Sequence, residues 1–258
     1  MEWRLIELET YNGPMNMAID EAILYAVENN IAPPTIRFYK WNPGCISLGY
    51  RQTISDINQE FCEELGIDIV RRITGGRAVY HDPTDLTYSL VVQESFFNVP
   101  KRQLIKFSHN YICGHIIDAL ETMGINGSLY TMNDIRVNSK KISGSAQNPI
   151  PISGRKVVLQ HGTLLLNYNE NLMRKLINDS ESGQTISIHN LTKTSDSIIY
   201  KTLKNSFVKN KDYKIGSLTQ EEFDIAQNLV QTKYNIESWN SSEGSVSKGS
   251  CYQRPGNI

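Results

Sequence analysis

The segment at residues 71–82 reads Arg71-Arg72-Ile73-Thr74-Gly75-Gly76-Arg77-Ala78-Val79-Tyr80-His81-Asp82. It predicts a strand that delivers two arginines, then a Thr-Gly-Gly turn, then a second short apolar run. Paired glycines let backbone N–H groups turn toward an anion, and neighbouring arginines form charge-assisted hydrogen bonds to phosphate. The segment is not a P-loop, because no Gly-Lys-Ser/Thr follows, and no helix follows as in a dinucleotide fingerprint. Two interpretations remain: a ligand-binding loop, or a tight hairpin turn with solvated arginines.

Strand and helix patterns on both sides of this segment are mixed and do not alternate regularly. Alternating or short apolar runs predict strands at residues 3–8, 35–39, 46–48, 67–72, 86–92, 141–145 and 157–166. Apolar residues at three-to-four spacing predict helices at residues 15–28, 55–65, 102–123, 172–177, 196–208 and 219–234. This order predicts an α+β domain with a central mixed or antiparallel sheet flanked by helices. We expect the domain to span residues 1–240 and residues 241–258 to form a flexible, Ser- and Gly-rich tail.

Composition and charge exclude several function classes. The 258 residues include 26 basic and 27 acidic side chains, for a net charge of -1, which argues against a nucleic-acid-binding face. No run approaches the ~18 apolar residues of a membrane-spanning helix, and the first residues carry no secretory signal. The four cysteines are scattered, so neither a zinc site nor a disulfide framework is expected. A cytoplasmic protein without membrane or nucleic-acid partners is expected.

A second candidate segment covers residues 133–147 and begins with Asn133 and Asp134. The carboxylate could hold a hard cation that bridges phosphates. Lys141 enters a strand of small residues, including Gly144 and Ala146, and its charge could stabilise negative charge that develops during acyl or phosphoryl transfer. The other interpretation is a surface hairpin that turns at residues 138–139 and carries solvated lysines.

A third candidate segment is Gln160-His161-Gly162-Thr163-Leu164-Leu165-Leu166-Asn167. It could place an imidazole or a hydroxyl at the rim of a pocket, or His161 could be a structural histidine. No Ser-His-Asp order and no Gly-x-Ser-x-Gly elbow occurs in the chain.

Together, these segments resemble the lipoate–protein ligase and octanoyltransferase family, which is related to the biotin–protein ligases. The matching blocks, in order, are Asn16-Met17-Ala18-Ile19-Asp20-Glu21, Arg37-Phe38-Tyr39-Lys40-Trp41, residues 71–82, Asn133-Asp134, Lys141-Ile142-Ser143-Gly144-Ser145-Ala146-Gln147 and His161-Gly162-Thr163-Leu164-Leu165-Leu166. The resemblance extends over the chain to about residue 240. It favours the functional interpretation of all three segments.

The resemblance implies an ATP-dependent lipoate–protein ligase. Such an enzyme activates lipoate to lipoyl-adenylate with ATP and Mg²⁺, then passes the lipoyl group to a lysine of a carrier domain. It implies that Lys141 is catalytic and that Asp134 binds the metal or orients phosphate. The implied adenylate-binding residues are Arg72, Gly75, Gly76, Arg77, Ala78, Val79, Tyr80, Asn133, Asp134 and Lys141. The implied lipoate-binding residues are Trp41, His81, Gly144, Ala146, His161, Gly162 and Thr163.

The family also implies two alternatives and a set of partners. Its octanoyltransferases become acylated on a cysteine placed shortly before one of the last two blocks, but residues 128–133 and 156–160 contain no cysteine, which favours the ligase. Against that, Arg77 replaces a third glycine of many ligases and resembles one transferase class. A non-catalytic binder of lipoate or adenylate is the other alternative. Expected partners are the glycine-cleavage carrier, the acyltransferase subunits of 2-oxoacid dehydrogenases and a separate small accessory protein.

Overall fold

The computed structural model describes residues 1–148, 156–178 and 184–242. Its strands are β1 (Glu2–Tyr11), β2 (Thr35–Trp41), β3 (Cys45–Leu48), β4 (Asp68–Arg71), β5 (Val79–His81), β6 (Leu86–Gln93), β7 (Ser128–Thr131), β8 (Asp134–Val137), β9 (Lys140–Gln147), β10 (Val157–Leu164) and β11 (Asp212–Gly216). Its α-helices are α1 (Gly13–Glu28), α2 (Gln59–Glu64), α3 (Lys101–Thr122), α4 (Glu170–Leu176), α5 (Asp196–Val208), α6 (Gln220–Leu229) and α7 (Glu237–Asn240). Short 3₁₀ turns cover Ile54–Asp56, Glu94–Phe97 and Ile188–Asn190, and a π-helical turn covers Val230–Tyr234.

Two sheets organise the described residues. The larger has eight strands in the order β11-β1-β2-β6-β10-β9-β8-β7. Its first two pairings, β11 with β1 and β1 with β2, are parallel, and the remaining pairings are antiparallel. The smaller sheet has the order β4-β3-β5 and carries the strands on either side of the Thr-Gly-Gly turn. The predicted α+β class with a mixed central sheet is therefore confirmed.

The alternation of β6 explains how the large sheet is covered on both faces. Leu86, Tyr88 and Leu90 belong to the core that α3 and α5 build on one face. The intervening Thr87 and Ser89 are buried among polar partners on the other face, where α1 and α6 pack. Successive strand residues point to opposite faces, so this one strand supplies both an apolar core and a polar layer.

Two buried ion pairs fasten the last helices to the beginning of the chain. Arg4 on β1 makes a two-pronged contact with Glu222 on α6, at 2.6 and 2.5 Å. Glu21 on α1 accepts hydrogen bonds from Lys233 at 2.8 Å and from the hydroxyl of Tyr234 at 2.5 Å. These contacts fix the C-terminal segment against β1 and against α1, and α1 carries part of the candidate site.

Several sequence-based boundaries differ from the structure. The helix predicted at residues 55–65 is divided into the 3₁₀ turn Ile54–Asp56 and α2, because the Asn58 side chain caps a new helix by accepting the Phe61 N–H. The strands β7, β8 and β11 were not predicted, since they are short and β11 is exposed along its whole length. The predicted flexible tail lies outside the described residues from residue 243 onward. None of the described helices has the length and apolar character needed to cross a bilayer.

Candidate active site

A cavity of about 420 Å³ opens between the small sheet and the strands β9 and β10. Seven of the predicted site residues line it: Arg77, Ala78, Val79, Tyr80, Lys141, Gly144 and Thr163. The other lining residues are Gln52, Asp56, Asp82, Asp85, Leu165, Asn167, Tyr168, Asn169, Met173, Ile177 and Thr185. The topology thus brings the ends of all three candidate segments to one place.

Lys141 is held in the cavity wall by its neighbours on β8 and β9. Its Nζ lies 3.4 Å from Oδ1 of Asp134, whose Oδ2 accepts a hydrogen bond from Arg136 Nε at 3.0 Å. The Arg136 guanidinium in turn lies 3.9 Å from the centre of the Tyr130 ring. A Cβ at Gly144 would come within 2.9 Å of Lys141 Cε, so the glycine gives this side chain its path into the cavity.

The surroundings of Asp134 do not favour the predicted metal. Its carboxylate faces two cationic side chains, and Mg²⁺ takes oxygen ligands in octahedral geometry. No group of three or more His, Cys, Asp or Glu residues in the described part of the chain is placed to hold a metal ion. Asn133, predicted beside it, donates its amide to the carbonyl of Ser145 at 3.0 Å and does not line the cavity.

Arg72 shapes the Gly-Gly loop, by which we mean residues 74–77, from inside the protein. Its guanidinium donates to the carbonyls of Ser47 at 2.6 Å, Gly75 at 2.6 Å and Arg77 at 2.8 Å. Burial, together with the charge of the neighbouring Arg71, lowers its pKa to about 10. Gly76 adopts φ +96, a conformation that favours glycine. Arg72 therefore holds the loop through the carbonyls of Gly75 and Arg77 and ties it to β3 through that of Ser47. Gly75 and Gly76 lie outside the cavity lining.

A chain of buried hydrogen bonds connects α1 to the Gly-Gly loop. Asp20 Oδ2 lies 3.0 Å from His161 Nδ1, and His161 Nε2 lies 2.7 Å from the Thr74 hydroxyl. Arg37 and Tyr39 donate to the same carboxylate at 3.0 and 2.9 Å. Burial alone would raise the pKa of Asp20, but the hydrogen bond to His161 and the charge of Arg37 outweigh it and lower the pKa. The network holds Thr74 in place across three elements of the fold.

A second buried cluster supports Thr163, which does line the cavity. His81 Nδ1 lies 3.1 Å from the Thr163 hydroxyl, and its Nε2 lies 2.8 Å from the Ser47 hydroxyl. Trp41 stacks on His81 with ring centres 4.1 Å apart and donates its N–H to Thr87. Burial lowers the pKa of His81 well below its usual value, so its imidazole is neutral. Trp41, His81 and His161 are not among the residues that line the cavity.

The small residues Ala146 and Gly162 lie where β9 and β10 pair. Ala146 is the register partner of His161, and Gly162 is that of Ser145. A Cβ at Gly162 would meet the Tyr88 hydroxyl oxygen at 2.5 Å and the Gly144 carbonyl oxygen at 2.8 Å. Gly162 thus permits close packing under the cavity, without lining it.

The cysteines of the described residues stand apart from the cavity. Cys45, Cys62 and Cys113 are free and buried, and none of them is among the lining residues. Burial raises the pKa of each thiol, to about 11 for Cys62. The fourth, Cys251, lies outside the described residues.

Comparison with known proteins identifies the family. Residues 12–205 match the lipoyl protein ligase A/B catalytic domain. The chain belongs to this family. Family membership links the chain to lipoylation and to protein modification.

The curated relatives within the lipoyl ligase A/B family correct the predicted reaction. The chain is 34% identical to the octanoyltransferase LipM of Clostridioides difficile, over 93% of this chain and 98% of the relative. It is 30% identical to the LipM of Brevibacillus brevis, over the same shares of the two chains. The prediction of an ATP-dependent ligase is therefore wrong, because these full-length relatives are acyltransferases. The expectation erred by treating two cysteine-free stretches as decisive.

Solved structures confirm the lipoyl ligase A/B fold. Lipoate-protein ligase A bound with ATP matches with a TM-score of 0.81 and 24% identity, over 94% of this chain and 100% of that one. The T. acidophilum protein Ta0514 with bound lipoic acid matches with a TM-score of 0.79 and 23% identity, over 93% and 99%. At this identity the likeness establishes the fold alone, so the ATP of one neighbour is not assigned to this chain.

Sequence reasoning missed more than half of the cavity lining. Asp85 lies only three residues beyond the first segment and Tyr168 directly follows the third, so extending both segments would have included them. Asn167 is the last residue of the third segment but was not assigned a site role. Gln52, Asp56, Met173 and Thr185 carry no comparable signal, because they reach the cavity from separate turns and helices.

Proposed function

We propose that the protein transfers an octanoyl group, without ATP, from a thioester on a donor carrier protein to a lysine amine on a lipoyl carrier domain. The observation that carries this proposal is the full-length similarity to octanoyltransferase LipM, at 34% identity. The candidate acceptors are the glycine-cleavage carrier and the acyltransferase subunits of 2-oxoacid dehydrogenases. The separate small accessory protein expected from the sequence would assist adenylate formation, a step that this transfer does not include. A cytoplasmic location belongs to the same proposal.

Lys141 is the group we assign to stabilise the transition state. When an amine attacks a thioester carbonyl, negative charge develops on the carbonyl oxygen. A fixed cation beside that oxygen lowers the barrier, because it needs no reorganisation when the charge appears. Asp134 and the space left by Gly144 hold the Lys141 ammonium at the wall. The acyl carbonyl would then lie between Lys141 and Thr163.

The remaining predicted residues take positioning roles in this proposal. Residues 77–80 line the same cavity as Lys141. Arg72, Gly75 and Gly76 set the path of the Gly-Gly loop, while His161 and His81 fix Thr74 and Thr163 through hydrogen bonds. Trp41, Ala146 and Gly162 pack the layer beneath.

The lining groups favour direct transfer between the two carriers. In that route the acceptor nitrogen forms a bond to the acyl carbon, the carbon–sulfur bond breaks, and the donor thiol leaves. The alternative is an acyl-enzyme thioester, in which a protein cysteine first takes the acyl group. The three described cysteines are buried with raised pKa values, and these features disfavour thiolate attack.

The test mixes the purified protein with an octanoyl-loaded acyl carrier protein and an unmodified lipoyl domain, with ATP removed. Intact mass of the lipoyl domain should show the gain of one octanoyl group. A lipoyl domain whose acceptor lysine is replaced by arginine is the matched control and should not be modified. Absence of transfer from the thioester would contradict the proposal. A Cys251→Ser variant that loses transfer would exclude the direct route and leave octanoyl transfer itself in place.

A further inference from the structure

Asp85 is an ionisable residue in the cavity wall that has no role in the transfer as proposed above. Asp85 lies between β5 and β6, directly before β6, and is 1% exposed. It shares the lining of the cavity with Lys141 and Thr163. A buried carboxyl is costly to keep unless it is held by hydrogen bonds or used in the reaction.

The backbone holds Asp85 in a fixed position. Its Oδ1 accepts the N–H of Leu166 at 2.8 Å, and its own N–H donates to the Asp82 carbonyl at 3.0 Å. The nearby Asp82 carboxylate differs, because it accepts from the N–H and hydroxyl of Thr84 within its own turn. Asp85 is therefore anchored just beyond the end of β10, and it lines the same cavity as Lys141 and Thr163.

The charged and titratable groups around Asp85 suit it to exchange a proton near neutral pH. Its pKa is raised to about 8, mainly by burial; the Asp82 carboxylate adds to the rise, and the backbone N–H groups of Leu166 and Asn167 offset part of it. Tyr80, Lys141 and Arg77 also line the cavity, and burial raises the pKa of Tyr80 to about 12. Groups with a pKa close to the working pH are the efficient general acids and bases.

We propose that Asp85 is the catalytic base that takes a proton from the acceptor lysine. The inference rests on the proposed transfer, and supplies a step that the transfer needs. A lysine ammonium has no free electron pair and cannot attack a carbonyl. Asp85, as a carboxylate, accepts one proton from the ammonium. The neutral amine then forms the new carbon–nitrogen bond, and the carbon–sulfur bond breaks. The departing sulfur takes the second nitrogen proton and leaves as a thiol, and Asp85 later returns its proton to solvent.

The decisive variant is Asp85→Asn, tested with two acceptors. Asparagine keeps an oxygen that can accept the Leu166 N–H but cannot take up a proton. The acceptors are the lysine of a lipoyl domain and hydroxylamine, an amine that is uncharged at neutral pH and needs no base. We expect transfer to lysine to fall by about 100-fold. Transfer to hydroxylamine, corrected for the enzyme-free rate, should stay within about threefold of the wild-type value, because hydroxylamine needs no deprotonation before it attacks the acyl carbon.

The matched control is Asp68→Asn. Asp68 also accepts a backbone N–H, from Gly13 at 2.9 Å, and burial also raises its pKa, but it does not line the cavity. It should retain transfer to both acceptors. Equal loss of both reactions in Asp85→Asn would show that Asp85 only braces the end of β10 and would overturn the inference. Unchanged transfer to lysine would overturn it as well.

A pH profile of the wild-type protein gives a test that needs no folded variant. If Asp85 is the base, the rate of transfer to lysine rises with pH through the Asp85 pKa of about 8 and levels off about one pH unit above it, where nearly all of the carboxylate is ionised. If no base acts, the rate keeps rising tenfold per pH unit toward the lysine pKa of about 10. A continued rise would overturn the inference. Failure of the wild-type protein with both acceptors would instead contradict the proposed function.

Discussion

Arg71 and Trp239 hydrogen-bond to each other in both directions. The Arg71 guanidinium donates to the Trp239 carbonyl at 2.9 Å, and the Trp239 indole donates to the Arg71 carbonyl at 2.9 Å. Arg71 also donates to the carbonyls of Gly49 at 2.8 Å and Asn240 at 2.9 Å. The short helix α7 is thereby tied to the strand that leads into the Gly-Gly loop.

Replacing the indole of Trp239 tests that tie. Trp239→Phe keeps an aromatic ring but leaves the Arg71 carbonyl without this donor, so we expect the free energy of unfolding to fall by about 1–3 kcal/mol. Urea unfolding measures it. Trp3→Phe is the control, because Trp3 is buried among apolar neighbours and packs edge-on against Phe96. An equal loss in both variants would mean that ring size, and not the hydrogen bond, is what matters.

Removal of the Lys141 charge should disable acyl transfer and spare the fold. For Lys141→Ala we expect the single-turnover rate of octanoyl transfer to drop by about 100-fold or more, as for loss of one group that stabilises an oxyanion. Lys140→Ala is the matched control, since Lys140 is the exposed neighbour on the same strand. Thermal unfolding checks both variants. Near-normal turnover of Lys141→Ala would return that residue to a solvated surface role.

Two glycines should respond in opposite ways to an added methyl group. Gly162→Ala places a Cβ against the Tyr88 hydroxyl and the Gly144 carbonyl, so overpacking should cost about 1–3 kcal/mol of unfolding free energy. Gly114→Ala, in α3, places its Cβ where no atom lies within 4 Å, and should stabilise the protein by up to about 1 kcal/mol. Urea denaturation compares them. A neutral Gly162→Ala would show that the strands can move apart there.

The hydrogen-bond network around Asp20 predicts a pH-dependent contribution to stability. Its pKa is lowered in the folded protein, so ionised Asp20 stabilises the fold above its unfolded pKa of about 4, and that contribution is lost as the pH falls further. Asp20→Asn should cost about 3–5 kcal/mol near pH 7, because it removes the nearer charged partner of the buried Arg37 and leaves only the Glu9 carboxylate, 3.6 Å away. The difference from wild type should shrink below about pH 4 in urea titrations.

Asp118→Asn, on the half-exposed side of α3, is the control for Asp20. Its unfolding free energy should differ little from that of the wild-type protein at any pH. A constant Asp20→Asn deficit down to about pH 2 would show that Asp20 stabilises the fold by packing alone.

The sequence predicted those parts of the fold that rest on local patterns. The helical periodicity of α3 and the alternation of β6 predicted these elements correctly, because each of them buries its own apolar face. β11 escaped prediction because five exposed residues carry no such pattern; its place is set by pairing with β1, about two hundred residues earlier. Local periodicity cannot report a partner so distant in the chain.

The candidate site was predicted in the same uneven way. Motifs found Lys141 and the wall at residues 77–80, since each is a short contiguous block. They did not find Asp85, whose position is fixed by the N–H of Leu166, a residue just beyond the end of β10 and about eighty positions later in the chain. They also predicted the wrong reaction, because lipoyl ligases and octanoyltransferases share this scaffold. Similarity over the whole length of the sequence is what favours the octanoyltransferases.

The ion pairs of Arg4 and Glu21 constrain the order in which the protein can fold during its synthesis. During synthesis the N-terminal strand and helix leave the ribosome first, but Glu222 and Lys233 follow roughly two hundred residues later. Until then each early charge must stay in water, since burying it alone would be costly. The chain therefore cannot complete its central layer during synthesis. Its last helices pack against β1 and α1 only after nearly all of the chain has emerged.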